Sequence, residues 1–108
     1  MAVVQLDGRL IYDWASFHRL CKEALGFPSF YGENMDAFID CLTYLDEPDG
    51  MSAIVLADAE NLTIEVAGSK DLHVRVPEIA EALASSVESV NERFVEDGKG
   101  PKVVLRWL

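Results

Sequence analysis

Residues 31–43 read Tyr31-Gly32-Glu33-Asn34-Met35-Asp36-Ala37-Phe38-Ile39-Asp40-Cys41-Leu42-Thr43. Asn34 suits a helix cap, because its side-chain oxygen can accept an amide that the first turn leaves without a partner. The spacing predicts a helix from Asn34 to about Leu45, ending before Pro48 and Gly50. At about 100° per residue, with Asp36 at zero, Asp40 falls near 40° and Thr43 near -20°. Phe38, Cys41, Leu42 and Leu45 fall opposite, between about 140° and 240°, and form the core side. The acidic side is not explained by folding. Two aspartates one turn apart repel, and Asp is a poor helix former away from the ends. Asp36 gains from the dipole of the first turn, whereas Asp40 does not. Met35, Ile39 and Tyr44 flank the acids, so the stripe is a candidate interface for a basic, concave partner. A solvated face carrying two aspartates by chance is the alternative.

Working outward, Pro28 to Glu33 is a tight loop. Before it, Asp13 caps an expected helix whose apolar face is Trp14, Phe17, Leu20, Cys21, Ala24 and Leu25, with Gly26 as its stop. Val3, Val4 and Leu6 open a strand that ends at Asp7-Gly8. After the central helix, Ala53 to Leu56 is an apolar run that predicts a buried strand. Leu62, Ile64 and Val66 alternate with Thr63 and Glu65, which suggests a half-buried strand forming a hairpin with it. Ser69 begins a short helical turn. Pro77 starts a longer helix, with Ile79, Leu83, Val87, Val90 and Phe94 on its buried face. Gly98 and Gly100-Pro101 end that helix, and Val103, Val104, Leu105 and Trp107 form a last strand. With no linker or repeat, this is one α/β domain spanning 1–108, with a partly parallel sheet.

The charge is concentrated around the central helix. Nine Lys and Arg stand against nineteen Asp and Glu among 108 residues, for a formal net charge of -10. Between Lys22 and Lys70 there is no Lys or Arg but there are ten acids, so the net charge belongs to residues 23–69. Aromatic and aliphatic residues interleave those acids, and the segment is expected to fold. Such a field repels nucleic acid and anionic membranes and attracts basic proteins. No apolar run approaches the length of a spanning helix and no secretory pattern opens the chain, so a cytoplasmic location is expected. Cys21 and Cys41 are then expected as buried thiols.

No cofactor or metal site is expected. Asp46, Glu47 and Asp49 resemble a fragment of a calcium loop, but Pro48 interrupts them. Asp36 and Asp40 could divide acid and base roles only in a cleft that separates their pKa values, and no further catalytic group converges on them. His18 and His73 read as ordinary core or helix-surface residues.

The segment His18 to Thr43, above all the string quoted first, resembles the barstar family of intracellular ribonuclease inhibitors over 26 residues, about a quarter of the chain. The resemblance implies a small, mainly parallel three-stranded sheet packed with helices. It leaves 62–66 open between an extra hairpin strand and a short helix. It also implies inhibition of a basic ribonuclease or ribonuclease-like toxin by the central helix and the preceding loop, with no catalytic residue in this chain. Asp40 would be the anionic anchor, Asp36 a second charged contact and Thr43 a hydrogen-bonding group. Asn34, Met35 and Gly32 would contribute from the loop and helix start. The expected contact set is Phe30, Tyr31, Gly32, Asn34, Met35, Asp36, Ile39, Asp40, Thr43 and Tyr44, on a monomer. Phe30 replaces a family tyrosine, and Ile39 and Tyr44-Leu45 replace an aromatic and glycine pattern. Glu88 and Glu92 are the candidates for a contacting glutamate on the last helix. A small acidic interaction or regulatory module whose partner is not a ribonuclease is the other reading.

Overall fold

Ala2–Asp7 forms strand β1, and the chain then turns through a single 3-10 turn at Gly8–Leu10 into helix α1, Trp14–Leu25. The computed structural model describes residues 2–47 and 50–108. Asp49 of the calcium-loop fragment and Pro48, which interrupts it, lie outside the described residues. Helix α2 is Met35–Thr43, strand β2 Leu62–Ala67, helix α3 Ser69–Arg75, helix α4 Pro77–Glu96 and strand β3 Val103–Trp107. The order β1-β2-β3 makes one sheet, and both pairings are parallel.

The small parallel sheet is therefore as expected, but its middle strand is not the expected one. Residues 62–66 add no hairpin strand to a strand at 53–56. They form the centre of the sheet, with Leu62 opposite Ala2 and Val103. Ala53 to Leu56 is not a strand, because its amides serve as caps for carbonyls elsewhere. The Ala53 amide donates to the carbonyls of Leu25 and Gly26, at 3.2 and 3.1 Å, and the Leu56 amide donates to Leu45 at 2.7 Å. This strap satisfies the free C-terminal carbonyls of α1 and of the turn after α2. Gly26 is required there. Its φ of 65° is left-handed, and a Cβ at that position would overlap the Ala53 side chain.

The alternation along the strands sorts the sheet into two faces. Val4, Leu6, Leu62, Ile64, Val66 and Val103 are buried against the helices. On the open face, Glu65 accepts from Gln5 and from Arg106, each at 3.0 Å, making a polar row across all three strands. Beneath the sheet, Phe17, Cys21 and Leu25 of α1, Phe38, Cys41 and Leu42 of α2, and Ile79, Leu83, Val90 and Phe94 of α4 close the core. The Asn91 side chain fastens α4 to β3, accepting from the Lys102 and Val103 amides and donating to the Val103 carbonyl. None of the described helices is long and apolar enough to cross a membrane.

Candidate functional site

The geometry of α2 begins at its cap. Asn34 Oδ1 accepts the Ala37 amide at 2.8 Å, and its Nδ2 donates to the Gly32 carbonyl at 3.2 Å. One side chain thus holds both the helix start and the loop before it. Between them Glu33 adopts φ 50°, a left-handed conformation that L-residues disfavour. Downstream, Lys99 pairs with Asp46 at 2.7 Å and fixes the turn after α2 to the end of α4.

Phe38, Cys41, Leu42 and Leu45 are fully buried, and Phe38 meets the rings of Phe17 and Phe27 at centroid distances of 5.8 and 6.1 Å. With that side locked, Asp36 and Asp40 are turned to solvent and Thr43 lies half-buried beside them. Met35 and Ile39 are half-buried at the stripe's border, and Phe30 (74% exposed) and Tyr44 stand at its ends. Gly32 and Asn34 are exposed in the loop. Nine of the ten expected contact residues thus share one exposed or partly exposed region around α2.

Tyr31 is the exception. Its ring is buried against Phe27, and its hydroxyl lies 2.7 Å from His18 Nδ1. A large aromatic packed against Phe27 and His18 buries more apolar surface inward than it could reach outward, so it supports the loop from beneath. His18 is accordingly a core residue, with its pKa lowered by burial and partly restored by the charge of Glu33. Tyr31 is held protonated, its pKa raised first by burial and then by nearby acidic groups. Burial, followed by the charge of Asp40, pushes the Cys41 thiol up to about 11. Cys21 is raised by burial as well, and both cysteines are free thiols.

Residues distant in sequence bring cations to the acidic segment. Arg93 Nη1 donates to Asp40 Oδ1 at 3.0 Å and to Thr43 Oγ1 at 3.1 Å. The Thr43 hydroxyl itself donates back to the Ile39 carbonyl at 2.7 Å. Lys99 and Arg106 reach Asp46 and Glu65. The charge window of residues 23–69 is therefore only partly bare once folded. Among the described residues no basic side chain pairs with Asp36. The α4 residue that reaches the stripe is Arg93. Glu88 and Glu92 instead line a shallow depression along α4 with Asn91, Val95 and Glu96. Arg93 was missed because its partner lies 53 residues away. The available signal was its position three residues after Val90 and one before Phe94, at the rim of the buried face.

Among the described residues no group of three or more His, Cys, Asp or Glu is placed to hold a metal ion. A rigid helix face with two solvent-facing carboxylates and an apolar border can bind a cationic surface.

A family model described as "Barstar (barnase inhibitor)" matches residues 1–106. A Bacillus subtilis (strain 168) protein named "Putative ribonuclease inhibitor YrdF" is 41% identical over 49 residues. That stretch is 44% of this chain and about half, 54%, of the relative's own length.

Proposed function

This chain belongs to the barstar family, and from that premise we propose that it binds and blocks the active site of a basic ribonuclease or ribonuclease-like toxin. The acidic stripe of α2 and the loop before it make the contact. In this reading the chain is a cytoplasmic immunity protein and not an enzyme. The observation that carries it is the solvent-facing pair Asp36 and Asp40, on a helix whose opposite side is fully buried. A ribonuclease active site is built to hold phosphate, and a fixed carboxylate can occupy the same cationic pocket. Because the helix is held by its cap, its core face and the Lys99–Asp46 pair, little ordering is left to be done on binding. Phe30, Met35, Ile39 and Tyr44 border the carboxylates and exclude water from the charged contacts.

The test is an RNA-cleavage assay with barnase, the ribonuclease that the family is described as inhibiting, and with the ribonucleases and toxins of the source cell. The expected result is stoichiometric suppression of cleavage of at least one of them. Unchanged cleavage by all of them at protein excess contradicts the proposal.

A further inference from the structure

Arg93 is 46% exposed and Asp40 57% exposed at their side chains, so the pair sits in the open, within the surface assigned to the partner. Nη1 makes both contacts, to Asp40 and Thr43. Among the described residues Nε and Nη2 of Arg93 donate to no acceptor. One turn before Asp40, Asp36 has no such cation among the described residues. Along the stripe the surface therefore reads negative at Asp36, paired at Asp40 and positive at Arg93.

On the premise of the function proposed above, we infer that Arg93 is a specificity-determining residue. It screens Asp40, so that the surface accepts a partner carrying an acidic group beside its cations and disfavours a partner that is cationic throughout. A partner cation arriving at Asp40 lies against the guanidinium, and like charges at contact distance repel. Swinging Arg93 away gives up its pair and leaves a charge to be desolvated alone, which is costly at an interface. A carboxylate on the partner removes both penalties. It can take Nε and Nη2 in a two-point contact while Nη1 keeps Asp40 in place. Specificity then comes from a repulsive element as well as an attractive one.

The test uses the full chain and two probe peptides, Arg-Arg-Arg-Arg-Arg-Arg and Arg-Arg-Arg-Arg-Glu-Glu. Binding is followed at low ionic strength through the amide NMR shifts of α2. Arg106, which pairs with Glu65 on the open face of the sheet, is the control, because Arg106→Gln removes the same charge elsewhere. In Arg93→Gln the ratio of affinities moves towards the all-arginine peptide by about threefold or more relative to Arg106→Gln, as expected for loss of one exposed ion pair. Equal ratios in the two variants, a shift the other way, or no binding of either peptide to any form overturns the inference. Ribonuclease inhibition by the wild type and by Asp40→Asn separates the two proposals. A shifted peptide ratio with no ribonuclease inhibited by the wild type removes the ribonuclease reading alone. An unshifted ratio with Asp40-dependent inhibition removes the role of Arg93 alone.

Discussion

His18 and Tyr31 join helix α1 to the loop that presents α2, through a contact of 2.7 Å between the imidazole Nδ1 and the phenol oxygen. Burial keeps the phenol protonated and lowers the imidazole pKa, so the contact is one hydrogen bond between two uncharged groups. Trp14 stacks on the same imidazole at a centroid distance of 6.2 Å, and Phe17 meets its edge at 5.1 Å. The cleft between Trp14, His18, Glu33, Asn34 and Met35 opens directly beside the helix start. The core histidine therefore lies directly against the residues that begin the candidate interface.

A pH dependence follows from burial of His18. Its folded pKa lies below the ordinary 6.5, so below that value the unfolded chain takes up a proton that the folded chain refuses. Stability is expected to fall as the pH drops through 6.5, and to stop falling on this account once the folded value is passed. Urea unfolding between about pH 7.5 and 5 checks this, a window above the ordinary carboxylate range. His18→Gln should flatten the slope in that window, and an unchanged slope contradicts the assignment.

Gly26 and Gly98 both have positive φ, at 65° and 76°, but only Gly26 has a neighbour in the way. Gly98→Ala should cost about 1 kcal/mol for the left-handed backbone alone. Gly26→Ala should cost roughly 2 kcal/mol or more, since the strap at Ala53 must also move. Denaturant midpoints of the two variants give the comparison, and equal losses contradict the packing of the strap over α1.

Removing the cap with Asn34→Ala should lower stability by about 1 kcal/mol. It also frees the loop from the helix, because the same side chain holds the Gly32 carbonyl. Asn34→Asp should keep the cap and lose the Gly32 contact, since a carboxylate cannot donate. Circular dichroism melts of the three proteins separate the two contributions.

Both thiols should be inert in the folded protein. Cys41 is pushed up to about 11 by burial and by Asp40, and Cys21 is raised by burial. The thiolate is the reactive form, so a thiol reagent at about pH 8 should label neither cysteine until the chain is unfolded. Rapid labelling of the native protein contradicts their burial.

The helices were legible because their signals are local. Asp13, Gly26, Asn34 and Pro77 mark ends at the residues where the structure has them. The buried and exposed sides of α2 followed from helical period alone. The sheet was harder to read. Ala53–Leu56 and Leu62–Val66 are both short apolar runs, and nothing local says which one pairs with β1. The alternation of Leu62, Ile64 and Val66 did mark a strand, but the turn-like residues from Asp58 to Asn61 suggest a hairpin where that strand instead takes the centre of the sheet. At the candidate site, the inward turn of Tyr31 and the reach of Arg93 to Asp40 depend on packing between distant segments. A wheel drawn for one helix contains neither.

Association of this chain with barnase, measured by stopped flow across a range of salt concentrations for the wild type, Asp36→Ala and Asp40→Ala, tests the interface on α2 most directly. Opposite charges steer encounter and salt screens them, so the wild-type on-rate should fall as salt rises. Asp40→Ala should weaken binding by about 2 kcal/mol or more, as for a desolvated charged contact. Asp36→Ala should weaken it less and flatten the salt dependence. Affinity and salt dependence unchanged in both variants would contradict the placement of the interface on α2.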